Sequence, residues 1–352
     1  MKTKQISLVF LWIFCHVITF LFAQGNPIQP VTPNASPEAV ELLHYLYYSI
    51  SGKYTLAGQH CAPLLGSTRL PALQRYTKSY PALFGQDFGF SYPGDWDGIN
   101  FRQRIIDEAI LRHQEGFIIT LMWHAVPPTQ DEPVTFRESI QGELTDQEWQ
   151  DLITPGTKIN LRWQSQVDVI AWFLKQLKFA DVPVLWRPYH EMNGGWFWWG
   201  QKKGENGYKK LWRMMFDRLV NFHGLNNLIW VYNTNEFKET VDPPETYFPG
   251  HDVVDVIATD VYSEGFNEIN YQQILALAGD KPIALGEVGQ LPTIEKLQSQ
   301  PRWSWFMLWG DFGFGRNFEE MIKTYQSEQV LTLEELPWVT IKNPKIHYPI
   351  LK

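Results

Sequence analysis

Residues 184–200 read VLWRPYHEMNGGWFWWG. The run starts as one kind of structure and ends as another. Val184, Leu185 and Trp186 are apolar without alternation, the pattern of a strand covered on both faces. Arg187, His190 and a single carboxylate, Glu191, follow, and then Trp196, Trp198 and Trp199. A buried strand that stops in ionisable and aromatic groups belongs to a sheet whose C-terminal edge carries the chemistry.

The same pattern recurs along the chain. Apolar runs closing in polar or aromatic residues occur at 54–60, 81–88, 116–125, 182–192, 228–235, 255–263, 282–289 and 302–312. Helical periodicity fills gaps at 100–116, 160–180, 207–225, 270–280 and 317–327. Eight strands alternating with helices predict a single α/β domain, a (β/α)₈ TIM barrel over 38–352 with loop insertions at the C-terminal face of the strands. The stretch 126–159 reads as a long insertion after strand three. An open doubly wound sheet is the structural rival. It carries a Gly-rich turn after its first strand, and AGQHCAPLLG (57–66) does not match one.

Composition narrows the function. The chain has 16 Trp, 15 Tyr and 22 Phe in 352 residues, so rings beyond the needs of packing are available to stack on flat ligand faces. A formal net charge of −8 argues against a nucleic-acid partner. No basic amphipathic helix marks a membrane surface. Residues 1–23, with Lys2 and Lys4 before an apolar run and Ala23 at its end, are read as a signal peptide. The expected location is therefore outside the cytoplasm, periplasmic or extracellular. Residues 24–37, QGNPIQPVTPNASP, are read as a proline-rich linker. Of the two cysteines, Cys15 departs with the leader, so no intrachain disulfide is expected and Cys61 is read as a small buried side chain. No Cys or His pair has metal-ligand spacing, so neither a metal nor another cofactor is expected.

The strand ends supply the candidate site. In order they offer Gln59 and His60, Asp87, Trp123 and His124, His190 and Glu191, Asn233 and Asn235, Asp260 and Tyr262, Glu287, and Trp309. A loop cap or a satisfied core group is the simpler account of Gln59 or Asn235. It is a poor account of Glu191 and Glu287, because each ends a very apolar strand where burying a carboxylate is costly. Carboxylates on strands four and seven face each other across a barrel mouth. Glycoside hydrolysis needs such a pair, one acid and one base or nucleophile. Aromatic surroundings favour the protonated form of Glu191, while Tyr262 could aim Glu287.

RPYHEMNGGWFWWG (187–200) resembles the acid/base signature of glycoside hydrolase family 26, best known for β-1,4-mannanases. DVYS (260–263) and KPIALGEVG (281–289) match later blocks of that family in order. The resemblance implies a retaining glycosidase with Glu191 as acid/base and Glu287 as nucleophile. It also implies His190 near the reacting sugar, Tyr262 on the nucleophile, and Trp196 and Trp309 as sugar platforms. His124, Arg187 and Asp260 join the substrate-binding set, with Arg187 bracing the catalytic carboxylates. Trp198 and Trp199 are read as packing. The implied partner is a β-mannan polysaccharide or oligosaccharide, with no protein partner. Alternatives are another β-glycan, such as mixed-linkage glucan or β-1,3-xylan, and an exo-acting mannobiohydrolase in place of an endo-mannanase. A carbohydrate-binding protein on a dead barrel sits badly with two retained glutamates. A serine hydrolase lacks its G-x-S-x-G elbow.

Overall fold

The computed structural model describes residues 28–62, 69–91, 96–262, 266–310 and 318–339. The expected signal peptide and residues 24–27 of the expected linker lie outside that set. Eight parallel strands form the core: β1 Thr55–His60, β2 Leu83–Asp87, β3 Ile118–Trp123, β4 Val184–Pro188, β5 Leu228–Asn235, β6 Val256–Val261, β7 Ile283–Val288 and β8 Trp303–Leu308. Each pairs with the next in sequence, and β8 pairs with β1 through Leu56↔Trp305 and Gln59↔Leu308, which closes the barrel. Every residue of all eight is buried. Packing inside and helices outside leave no wet face, which is why the sequence shows apolar runs and not alternation.

The expected helices are present as α3 Arg102–Gln114, α5 Lys158–Phe179, α6 Tyr208–Phe216, α7 Glu268–Ala278 and α9 Phe318–Tyr325. Local chemistry sets their ends. Thr157 accepts the N–H of Asn160 to start α5, and Gly279 with φ +59° ends α7. The helix after β4 continues past α6 as a wider turn over Asp217–Phe222. Four further helices are described: α1 Pro37–His44, α2 Arg69–Thr77, α4 Asp146–Ile153 and α8 Ile294–Ser299.

Residues 28–36 of the proline-rich segment lie against the N-terminal end of the barrel. Val31 N–H donates to Asp255 (2.8 Å), the Thr32 hydroxyl to Leu228 O (3.1 Å), and Ser36 caps α1. The packed chain therefore begins before residue 38.

The insertion at 126–159 rises over the C-terminal rim and is more than loop. It contains a turn of wide helix at Phe136–Ile140 and α4, which opens on a Thr145/Glu148 capping box. It is tied to the segment after β4 by Trp198 N–H to Ile140 O (3.2 Å), Lys202 Nζ to Leu144 O (3.0 Å) and Trp149 Nε1 to Asn206 O (2.8 Å).

Candidate active site

The chain leaves β4 through a strained turn. Tyr189 and Glu191 both take positive φ, +47° and +55°, which non-glycine residues adopt at a cost. Surrounding bonds over-determine it. The Tyr189 hydroxyl accepts the Trp163 indole N–H at 2.9 Å, Tyr208 donates to Tyr189 O at 3.0 Å, and Trp199 donates to His190 O at 2.8 Å. Glu191 N–H reaches Asn233 O on β5 at 2.8 Å. Two of the rings after Glu191 are thus structural. Trp198, which donates to Ala125 O at 2.7 Å, and Trp199 are both fully buried.

The turn aims Glu191 at the barrel mouth. Its Oε2 accepts the Trp196 indole N–H at 2.7 Å and its Oε1 accepts from Asn235 Nδ2 at 2.9 Å. Gly194 makes room for that ring, since a Cβ there would lie 2.1 Å from the Trp196 indole. Burial, then the neighbouring Glu287, push the Glu191 carboxyl up to about 7, against the pull of the Asn235 and Trp196 bonds.

Glu287 ends β7 and is held by a different kind of partner. Arg187 Nη2 donates to its Oε1, and the Tyr262 hydroxyl donates to its Oε2 at 2.5 Å. His190 Nε2 lies 3.7 Å from Oε1. Arg187 extends its other nitrogen to Asp260 at 3.2 Å, so it braces Glu287 and Asp260 and does not hydrogen-bond Glu191. Burial opposes the Arg187 charge, and the two carboxylates restore it and raise its pKa. Asp260 is fully buried and pairs with Arg187. Burial and then Glu287 hold its carboxyl well above the ordinary range, with Arg187 pulling the other way.

His190, Glu191 and Asp260 place ligand-type atoms within 4.8 Å of one another. Arg187 already puts a positive charge against Asp260, and each Glu191 oxygen accepts from a neutral donor, so this geometry serves hydrogen bonding and an ion pair.

The remaining wall is aromatic. His124 Nδ1 lies 2.6 Å from Asp87 Oδ2, and its backbone N–H donates to Asp87 Oδ1 at 3.0 Å. Burial alone would raise the Asp87 carboxyl, but His124 and the N–H groups of Gly89 and His124 bring it below its usual value. The His124 ring meets His190 edge-on at 4.4 Å, Phe136 of the insertion at 5.3 Å and Phe197 at 5.2 Å. Burial holds His190 neutral, its pKa far below the ordinary range. Trp309, half-buried beyond β8, stacks on His60 with ring centres 4.0 Å apart. Burial depresses the His60 pKa to about 3, so that ring too is uncharged.

All nine residues singled out from the sequence converge on this one rim. The model of glycosyl hydrolase family 26 matches residues 31–335. The chain belongs to glycosyl hydrolase family 26. Among solved family 26 structures, GH26A from Muricauda sp. MAR_2010_75 is similar at 44% identity and a TM-score of 0.82, covering 87% of this chain and 99% of that one. A β-mannanase from a symbiotic protist of the termite Reticulitermes speratus, complexed with gluco-manno-oligosaccharide, is similar at 30% identity and a TM-score of 0.75, covering 88% and 97%. A mannan endo-1,4-β-mannosidase of Thermothelomyces thermophilus is 36% identical over 318 residues, covering 86% of this chain and 62% of that protein. The matches to two Piromyces mannan endo-1,4-β-mannosidases span 50% and 53% of their length, so the chain corresponds to about half to two thirds of these curated relatives.

Several site groups of this family 26 chain lie beyond the nine residues singled out from its sequence. Asn235, read as a loop cap, is a direct partner of Glu191. Asp87 fixes His124, and His60 backs Trp309. All three were visible as polar strand ends, but their partners lie on other strands. Phe136 and Phe197 gave no local signal, because only the folded insertion brings them to His124.

Proposed function

We propose that this protein is a retaining, endo-acting β-1,4-mannan hydrolase. The observation that carries the reading is the contrast between its two glutamates. Glu191 is buried among neutral donors and pushed up to about 7, the condition of a carboxyl that carries a proton for delivery at neutral pH. Glu287 is aimed by a guanidinium and a phenol. In the proposed first step the Glu287 carboxylate attacks C1 of the sugar. The glycosidic C1–O bond breaks as Glu191 gives its proton to the leaving oxygen, leaving a glycosyl ester on Glu287. In the second step Glu191, now ionised, takes a proton from water. That water attacks C1 and frees Glu287 with the β configuration restored. The reading needs no cofactor. Trp196 and Trp309, with His190 held neutral by burial, suit an uncharged sugar chain.

Mannan as substrate rests on the relatives named above, which carry β-mannosidase or mannanase names. Reducing-sugar release from a panel of linear mannan, glucomannan, mixed-linkage β-glucan and β-1,3-xylan tests it. Release from the mannans supports the reading. Release from mixed-linkage glucan or xylan alone would replace the substrate and keep the mechanism. The leader-like residues 1–23 motivate export to the periplasm or the medium as part of the proposal.

A second reading, trimming of chain ends, has one observation in its favour. The insertion is strapped to the segment after β4 and sets Phe136 against His124 at the rim. Loops placed this way can wall off a groove. Several oligomer sizes with a fast viscosity drop mean endo cleavage, and mannobiose alone from the first minutes means a mannobiohydrolase.

A further inference from the structure

One buried side chain in the active-site turn hydrogen-bonds to neither glutamate and yet ties their neighbourhood together. Asn193 lies two residues beyond Glu191 and is 1% exposed. Its Oδ1 accepts the N–H of Asn235 at 2.7 Å, and its Nδ2 donates to Asn235 O at 3.1 Å and to Asp242 O at 3.3 Å. A single amide thus closes on both backbone groups of the residue that ends β5. Asn235 then spends its own amide nitrogen on Glu191 Oε1 at 2.9 Å. The other atom of that amide, Oδ1, is buried and has no hydrogen-bond partner among the described residues. Nothing bonded to Oδ1 therefore fixes the way the Asn235 amide points, and the clamp on its backbone takes that role.

We propose that Asn193 is a positioning residue for the general acid, acting through Asn235 to aim the Glu191 carboxyl. The inference rests on the assignment of Glu191 as acid in the preceding subsection. It adds a reason for Asn at the second position after the acid: an amide alone offers the donor and the acceptor needed to grip one peptide group on each side of Asn235. Asp could accept but not donate, and Ser is too short to do both.

The consequence is electrostatic as well as geometric. A donor on a carboxyl stabilises its ionised form, so loosening Asn235 makes Glu191 harder to ionise. The other groups facing Glu191 are Glu287 on β7, Asp260 on β6, Tyr262 just beyond it, His124 at the end of β3 and the Trp196 indole. The Lys203–Asp242 ion pair at 2.8 Å closes the outer end of the clamped loop.

The Trp196 indole N–H rests on Glu191 and so reports its ionisation by ¹H–¹⁵N NMR with no substrate present. The wild-type signal should titrate with a midpoint of about 7, and Glu191→Gln should abolish the titration. Asn193→Ala and Asn235→Ala should each raise the midpoint by roughly half to one pH unit, the size of one hydrogen bond's net contribution. In the Asn235→Ala background, Asn193→Ala should add nothing further. If Asn193→Ala does not fold, Asn193→Ser, which keeps one oxygen for the Asn235 N–H, carries the same test. Kinetically, Asn193→Ala should lose about tenfold on polymer and little on aryl glycosides with good leaving groups, which need less protonation. An unmoved midpoint, additive shifts in the double variant, or equal losses on both substrates would overturn the inference. A wild type inactive on every glycan would sink the functional reading instead, and the NMR shifts would still decide the role of Asn193.

Discussion

Glu191 and Glu287 interact electrostatically across the barrel mouth and are held by opposite kinds of partner. Glu191 takes its two bonds from uncharged groups, the Trp196 indole and the Asn235 amide. Glu287 takes one from the Arg187 guanidinium and one from the Tyr262 phenol. Two chemically identical side chains are thereby placed in different surroundings, the condition the proposed division of acid and nucleophile requires.

Activity on polymer should fall as pH rises through about 7, because the role proposed for Glu191 needs its protonated form. A kcat/KM profile on mannan checks this. Glu287→Gln removes the like charge and should move the Trp196-reported midpoint of Glu191 downward.

Stability carries the same sign. The Glu191 pKa is raised from 4.5 to about 7 in the fold, so the folded state binds more protons between those values. Its contribution is most favourable below about 4.5, is lost as pH rises through about 7, and then levels off. Glu191→Gln, which never ionises, should match the wild-type melting temperature near pH 4 and exceed it at pH 8, by up to roughly 3 kcal/mol of stability.

Glu191→Ala should lose about 10²–10⁴-fold on mannan while its first step on activated aryl mannosides suffers least. Activity on polymer within tenfold of wild type would contradict its role as acid.

Tyr262→Phe removes the 2.5 Å bond to Glu287 and leaves the ring in place. We expect kcat to drop about 10²-fold, the usual scale for losing one aimed donor, with KM little changed. Steady-state kinetics on manno-oligosaccharides checks it, and a loss under twofold would show that Arg187 alone aims the nucleophile.

Gly286→Ala should be tolerated poorly at a position with no chemistry of its own. A Cβ there would lie 1.7 Å from Asn233 Oδ1 and 2.9 Å from Asp260 Oδ1, so the groups behind the nucleophile must move. Urea unfolding should show a loss of about 1–3 kcal/mol, accompanied by a fall in kcat.

Much of this was legible in the chain because burial on both faces leaves an unmistakable apolar run. All eight barrel strands fall inside the runs read from the sequence, with ends that differ by a few residues. Short helices were harder. α2 carries Pro71 inside it, and α8 has six residues, too few for a period to show. α4 did advertise itself through Thr145 and Glu148, but Pro127, Pro128, Asp131 and Pro133 ahead of it made the insertion look like loop. In the site, Glu191 and Glu287 stood out because a carboxylate at the end of an apolar strand needs a reason. The pairings Asp87–His124, Asn235–Glu191 and Asn193–Asn235 did not, because partners 37, 44 and 42 residues apart meet only once the barrel closes.

Double displacement at Glu287 with Glu191 as the acid fixes the stereochemistry of the product. Proton NMR of the first-formed product from a linear manno-oligosaccharide tests it most directly. The β-anomer of the newly formed reducing end should appear first and then mutarotate, and Glu287→Ala should stay folded and release none. First release of the α-anomer, or turnover surviving in Glu287→Ala, would contradict it.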